Sequence, residues 1–232
     1  MLIKVLVLGR PGSGKTTAIQ ELHNRAHYRA YSALSIDDYD ILSRMSQEDT
    51  LHEKFRATEY GGFDVLDHSV FDTALEALEK QVQTALHTEK DGIITIEFAR
   101  NDYRQALRRF SPDFLQDAYI FFVEADLHTC IQRIHERITK PTQLRQHFVS
   151  NYIMQTYYSK DNWTYVTDDL KTEYNIYKTV ATFYNTGSIT SLIERVHEFA
   201  EHLFAQEFQS RNYTQADLVA AGNPTLSRLL SR

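Results

Sequence analysis

Gly9-Arg10-Pro11-Gly12-Ser13-Gly14-Lys15-Thr16 matches the pattern G-x-x-x-x-G-K-[ST] at every fixed position. With glycine near 7% of residues, such a string arises by chance in roughly one chain in a hundred of this size. Its neighbours make chance a poorer explanation still. Leu2-Ile3-Lys4-Val5-Leu6-Val7-Leu8 reads as a buried parallel strand, and Thr17-Ala18-Ile19-Gln20-Glu21-Leu22 opens a helix with apolar positions at 18, 19 and 22. Strand, glycine loop, helix is the setting in which the string acquires a mechanism. The glycines let the backbone curl until successive N–H groups face an anion, and the helix N-terminus adds its partial positive charge. Residues Gly9 to Thr17 are therefore expected to cradle a nucleoside triphosphate, with Lys15 on the β- and γ-phosphates and the Thr16 hydroxyl on Mg²⁺.

The rest of the composition bounds what such a site serves. The 232 residues suffice for one large α/β domain, and 42% apolar residues are enough for a real core. No apolar run of about 18 residues predicts a membrane span. Met1 leads straight into the first strand, which leaves no room for a targeting segment. Cys130 stands alone, so no disulfide framework is expected and a reducing cytoplasm is the expected location. Cys130 itself reads as a buried filler. A formal net charge of −6 argues against a broad nucleic-acid surface.

Along the chain, Ala33-Leu34-Ser35-Ile36 forms a second short strand ending at Asp37-Asp38, and residues 40–58 read as helical. Tyr60-Gly61-Gly62-Phe63 is a turn. Val70, Phe71, Ala74, Leu75, Leu78, Val82 and Leu86 mark one face of a long helix. Ile93-Ile94-Thr95-Ile96 is a third strand running into Glu97-Phe98-Ala99-Arg100, and residues 101–110 read as a helix that Pro112 stops. Ala118–Val123 is a fourth strand, followed by a helix capped by Asp126. Residues 139–160 are the least regular. Val180–Tyr184 is a fifth strand, and Ile189 to Leu203 a last long helix with a capping box from Ser191 and Glu194. In the tail, Thr214 and Asp217 open a short helix, and Leu226, Leu229 and Leu230 offer a seam for self-docking or a homodimer.

Strands alternating with helices predict a parallel sheet covered on both faces, with ligands outside the carboxyl ends of the strands. The polar residues at those ends are Asp37 and Asp38, Glu97 and Arg100, and, on the helix after the fourth strand, Arg133 and Arg137. Phosphoryl transfer needs a phosphate clamp, a metal, a group that orients or deprotonates the nucleophile, and cations on the developing charge. Asp38, or Asp37 in its place, is the candidate to take the proton of an acceptor hydroxyl. Glu97 is the candidate to hold Mg²⁺ with Thr16 or to grip the acceptor, and Arg100 to bind it. Arg133 and Arg137, four residues apart on one helix face, are candidates to stabilise the transferring group. Arg145 and Lys160 are weaker candidates. Tyr157, Tyr158, Trp163 and Tyr165 read as an aromatic minor core, and His23 and His27 as solvated histidines with no third ligand to make a metal site.

The loop with Pro11 before Gly12-Ser13-Gly14-Lys15-Thr16-Thr17, the Asp37-Asp38 pair and the Glu97-to-Arg100 element resemble the P-loop nucleoside and nucleotide kinases, a group that includes adenylate kinases, polynucleotide kinases and zeta-toxin-like kinases. In adenylate kinases the acid-then-arginine element has a different acid and wider spacing, so the resemblance is nearer to kinases that phosphorylate a hydroxyl. The resemblance covers residues 1–205. It implies an α/β P-loop NTPase fold with a five-stranded parallel sheet in the order 2-3-1-4-5, helices on both faces, ATP as donor and a kinase domain over 1–208. It also implies a short lid at about 139–165, with 209–232 as a helical tail. The expected activity is transfer of the γ-phosphoryl group of ATP to a small hydroxyl- or phosphate-bearing acceptor such as a nucleoside, nucleotide or related metabolite. A polynucleotide 5′-hydroxyl kinase and a slow nucleotide-sensing module acting through a partner stand as alternatives.

Overall fold

A computed structural model describes residues 2–58, 60, 62–88, 91–139 and 148–220, with side chains for all of these but 138–139 and 211–220. Five parallel strands form the central sheet: β1 (Leu2–Leu8), β2 (Ser32–Asp37), β5 (Gly92–Phe98), β6 (Tyr119–Glu124) and β7 (Val180–Tyr184), in the order β2-β5-β1-β6-β7. This is the expected order once the two short hairpin strands β3 (Phe55–Ala57) and β4 (Phe63–Val65) are set aside. β1 pairs in register with β5 along its whole length, so Leu8 lies beside Phe98 and Val7 beside Glu97. β2 ends level with them, Asp37 beside Glu97. Register alone brings the phosphate loop and both acidic strand ends to one edge.

The side-chain alternation of β1 divides the core. Ile3, Val5 and Val7 face α1 (Lys15–Tyr28) and α9 (Ile189–Ala220), packing with Ala18, Leu22, Val196 and Phe199. Leu6 and Leu8 face the opposite way, towards Leu75 and Leu78 of α3 (Ser69–Thr88) and Phe110 and Phe114, which flank and fill the short helices α4 (Tyr103–Leu107) and α5 (Pro112–Gln116). Residues buried on both faces explain why β1, β5 and β6 read as nearly continuous apolar runs.

Five local readings are corrected. The helix expected over 40–58 is α2 (Tyr39–Glu48) only, because the Asp49 carboxylate accepts the N–H groups of Glu53, Lys54 and Phe55 and turns the chain into the β3–β4 hairpin. Pro112 opens α5 at its first turn, where a missing N–H costs nothing. Ser188, not Ser191, starts α9, its hydroxyl accepting the Ser191 N–H. α9 then runs without a break to Ala220, so no separate helix opens at Thr214. The segment 139–160, read as the least regular, carries α7 (Asn151–Thr156), with α6 (Leu127–Thr139) before it and a π-helical turn at Tyr165–Asp169 and α8 (Leu170–Glu173) after it. Arg145, Leu226, Leu229 and Leu230 lie outside the described residues. No helix among the described residues is long and apolar enough to cross a membrane.

Candidate active site

The phosphate loop runs from the end of β1 to the N-terminus of α1. Gly9 and Gly12 have φ of +143° and +82°, and a Cβ on either would meet a backbone carbonyl, Val123 O at 2.1 Å or Cys130 O at 2.5 Å. Both glycines are therefore required by conformation and by contact. A loop curled to point its N–H groups at an anion turns its carbonyls outward, and buried carbonyls need donors. Asn185, just past β7, donates to Ser13 O at 2.7 Å, and Arg133 on α6 reaches Gly12 O, Ser13 O and Asn185 O at 3.2–3.4 Å. The buried Tyr103 hydroxyl accepts the Gly9 N–H at 2.7 Å, and its own proton is shared between Gly9 O and Phe98 O, each at 3.1 Å. Arg10 turns away from the cleft, with Nε 2.9 Å from Glu124 at the end of β6 and a terminal nitrogen on Lys160 O. Lys160 thus meets the loop through its carbonyl, while its ammonium pairs with Asp102.

Inside the curl, Ser13 Oγ is buried without a hydrogen-bond partner, an acceptor and donor aimed at nothing in the chain itself. Lys15 Nζ lies 3.1 Å from Arg10 O and 3.6 Å from Glu97 Oε1. Thr16 and Thr17 border the same cleft. A cage of N–H groups, a buried lysine, an orphaned hydroxyl and an open threonine fit a magnesium–triphosphate group.

The cleft, about 520 Å³ in volume, is lined by Gly12, Gly14, Lys15 and Thr16 of the loop, by Asp37, Asp38, Glu97 and Arg100 at the strand ends, and by Arg137 from α6. Asp38 and Arg100 form a buried ion pair at 2.5 Å, and Arg100 also donates to Ala99 O and Phe71 O while its guanidinium lies 4.4 Å from the centre of the Phe71 ring. Asp37 accepts the Asp40 N–H at 3.1 Å and so helps to cap α2. Burial raises the Asp37 carboxyl above its ordinary range, against the pull of its hydrogen bond from Asp40. Burial does most to raise Glu97 as well, with Lys15 opposing and the neighbouring Asp37 and Asp38 adding.

The two arginines of α6 separate. Arg133 is bound into the phosphate loop, whereas Arg137 has no hydrogen bond or ion pair among the described residues and lines the cleft. Burial lowers the Arg137 pKa, with Glu97 the main opposing charge. Asp126 and Glu136 do not hold them: Asp126 caps α6 through Thr129, and Glu136 takes a hydrogen bond from Gln132. Away from the site, His23 is partly buried against the Thr95 hydroxyl at 2.9 Å rather than solvated.

Several site-building residues lie outside the phosphate-loop motif and the strand-end candidates. Tyr103, Glu124 and Asn185 support the loop from three separate elements, and Tyr39, Phe63, His68 and Phe71 join Tyr157 and Tyr158 in walling the far end of the cleft. A polar residue just after β6 or β7 was the available clue for Glu124 and Asn185, since those strand ends share the ligand edge.

A parallel sheet of this order, with a phosphate loop leaving its central strand, defines a P-loop nucleoside-triphosphate-binding protein with the architecture of the small-molecule kinases. The family model described as AAA domain matches residues 5–155, and the chain belongs to that family. Among solved structures it is similar to a sugar kinase from Janibacter sp. HTCC2649, at 16% identity over 87% of this chain and 96% of that one, with a TM-score of 0.53. It is also similar to Kti12 from Chaetomium thermophilum in complex with ADP-AlF3 (13% identity, 88% and 99% covered, TM-score 0.52). The APS kinase CysC from Mycobacterium tuberculosis, bound to AMPPNP and APS, matches at 12% identity over 86% and 98%, with a TM-score of 0.51. At these identities the likeness is one of fold. No curated protein matches the sequence significantly.

Proposed function

We propose that the protein is an ATP-dependent phosphotransferase acting on a small hydroxyl- or phosphate-bearing acceptor. The observation that carries this reading is the continuity of one cleft from the phosphate loop to the carboxylates of β2 and β5. A switch or motor needs a place for water beside the γ-phosphate; this cleft extends well past it and has walls of its own.

The loop N–H groups and Lys15 would hold the triphosphate, with Lys15 giving up Arg10 O and Glu97 for phosphate oxygens. Thr16 and Glu97 are the residues to hold Mg²⁺, which supplies positive charge to the phosphate oxygens when bound. The acceptor oxygen attacks the γ-phosphorus, the bond to the β–γ bridging oxygen breaks, and that electron pair leaves with ADP. Asp38 takes the proton of a hydroxyl acceptor, its position held by Arg100. Arg137 faces the charge that develops on the transferring group, while Arg133 acts at one remove by fixing the loop.

The test is acceptor-stimulated ATP consumption across a panel of hydroxyl and phosphate compounds. Lys15→Ala is expected to lower turnover by about 10²–10³-fold with an unchanged unfolding midpoint. Near-normal turnover in that variant defeats the assignment.

A further inference from the structure

The two ends of the cleft differ in charge. Lys15 and Arg137 lie at the phosphate end, where a triphosphate takes up their charge. Glu97, 3.6 Å from Lys15, sits between the two ends, and beyond it the charged lining residues are Asp37, Asp38, Asp40 and Arg100. Arg100 is 4% exposed, faces Asp38 and gives further N–H groups to two backbone carbonyls. Three of its five N–H groups are used in this way, and its Nε is fully buried. With its charge paired to Asp38 and almost no surface exposed, Arg100 offers an incoming carboxylate or phosphate no open pair of donors. The other walls are flat and largely apolar. Tyr39 stacks on Phe63 at 5.5 Å, and Tyr157 stacks on Phe71 at 4.9 Å and contacts His68 at 4.5 Å.

Resting on the phosphotransferase reading, we propose that the acceptor is an uncharged or cationic alcohol bearing a flat apolar group, and that phosphate esters and carboxylates are rejected. Asp37 and Asp40, whose charges no cation in the cleft cancels as Arg100 does that of Asp38, set the charge preference, and the aromatic wall takes the flat group.

Three probes share a phenyl ring and an aliphatic hydroxyl and differ in charge: phenylalaninol is cationic, 2-phenylethanol neutral and 3-phenyllactate anionic. None competes for a nucleotide site. Calorimetric titration of each into the full chain saturated with AMPPNP and Mg²⁺ is expected to give phenylalaninol and 2-phenylethanol at least about tenfold tighter binding than 3-phenyllactate. Asp37→Asn keeps both the Asp40 cap and the Asp38–Arg100 pair, and is expected to narrow that ratio. Binding of 3-phenyllactate as tight as the others, an unchanged ratio in Asp37→Asn, or no binding of any probe overturns the proposal while the phosphotransferase reading stands. Failure of AMPPNP itself to bind, measured first in the same cell, overturns both.

Discussion

The phosphate loop and the acceptor wall face each other across one cleft, yet they are built in opposite ways. The loop makes its contacts with main-chain N–H groups, so its specification is a short string of glycines around Lys15, all within eight residues. The proposed acceptor wall is lined by side chains from α2, β4, α3, the turn after β5 and α7, including Tyr39, Phe63, Phe71, Arg100 and Ile153. Binding a group common to every nucleotide requires one backbone shape. Choosing one acceptor requires a surface assembled from distant parts of the chain, which changes without disturbing the loop.

If that division holds, variants on the two sides fail differently. The largest effect is expected at Arg137→Ala, with turnover down about 10²–10³-fold and little loss of stability, since the guanidinium has no hydrogen bond or ion pair among the described residues. Arg133→Ala, one turn away, is expected to weaken ATP binding and lower the melting temperature instead; the same phenotype from both variants breaks the distinction. Asp38→Asn leaves Arg100 charged, buried and unpaired, so a loss of about 3 kcal/mol in denaturant unfolding is expected beside a fall in turnover. Adding Arg100→Met is expected to restore much of the stability and none of the rate. Tyr103→Phe strips the partner from the Gly9 N–H and is expected to cost about 1–2 kcal/mol and weaken AMPPNP binding, with acceptor binding untouched.

The smallest effect is in pH. Glu97 has a raised pKa in the folded chain, so between its ordinary value and the raised one the folded state holds a proton that the unfolded chain has lost. Stability from this group is then present at low pH and falls as pH rises through that window. Unfolding midpoints measured from about pH 4 to 7 are expected to show that slope, flattened in Glu97→Gln.

Legibility in the sequence follows the same division. The five sheet strands and the loop could be read because short apolar runs and glycine spacing encode them locally, whereas the strand order came only with the resemblance to the P-loop kinases. Asp37, Asp38, Glu97 and Arg100 could be placed on one rim because parallel strands end together. What could not be read was which of these residues pair: Asp38 with Arg100 is a contact across 62 positions, and nothing local distinguishes Asp38 from Asp37. The β3–β4 hairpin was missed for a related reason. Three-residue strands carry too little alternation to register, and the turn that launches them rests on one carboxylate, Asp49. Arg133 and Arg137 look equivalent by spacing, and only the position of the loop beneath α6 separates them.

The close approach of α6 to the loop has one more consequence. The backbone of Cys130 lies where a side chain on Gly12 would sit, its thiol is fully buried, and burial pushes that thiol up to about 11. As the single cysteine of 232 residues, it is a built-in clock. Its side chain packs with Ile134 of α6 and Ile153, Met154 and Tyr158 in and beside α7, so a thiol reagent reaches it only when that cluster opens, and the rate of alkylation counts those openings.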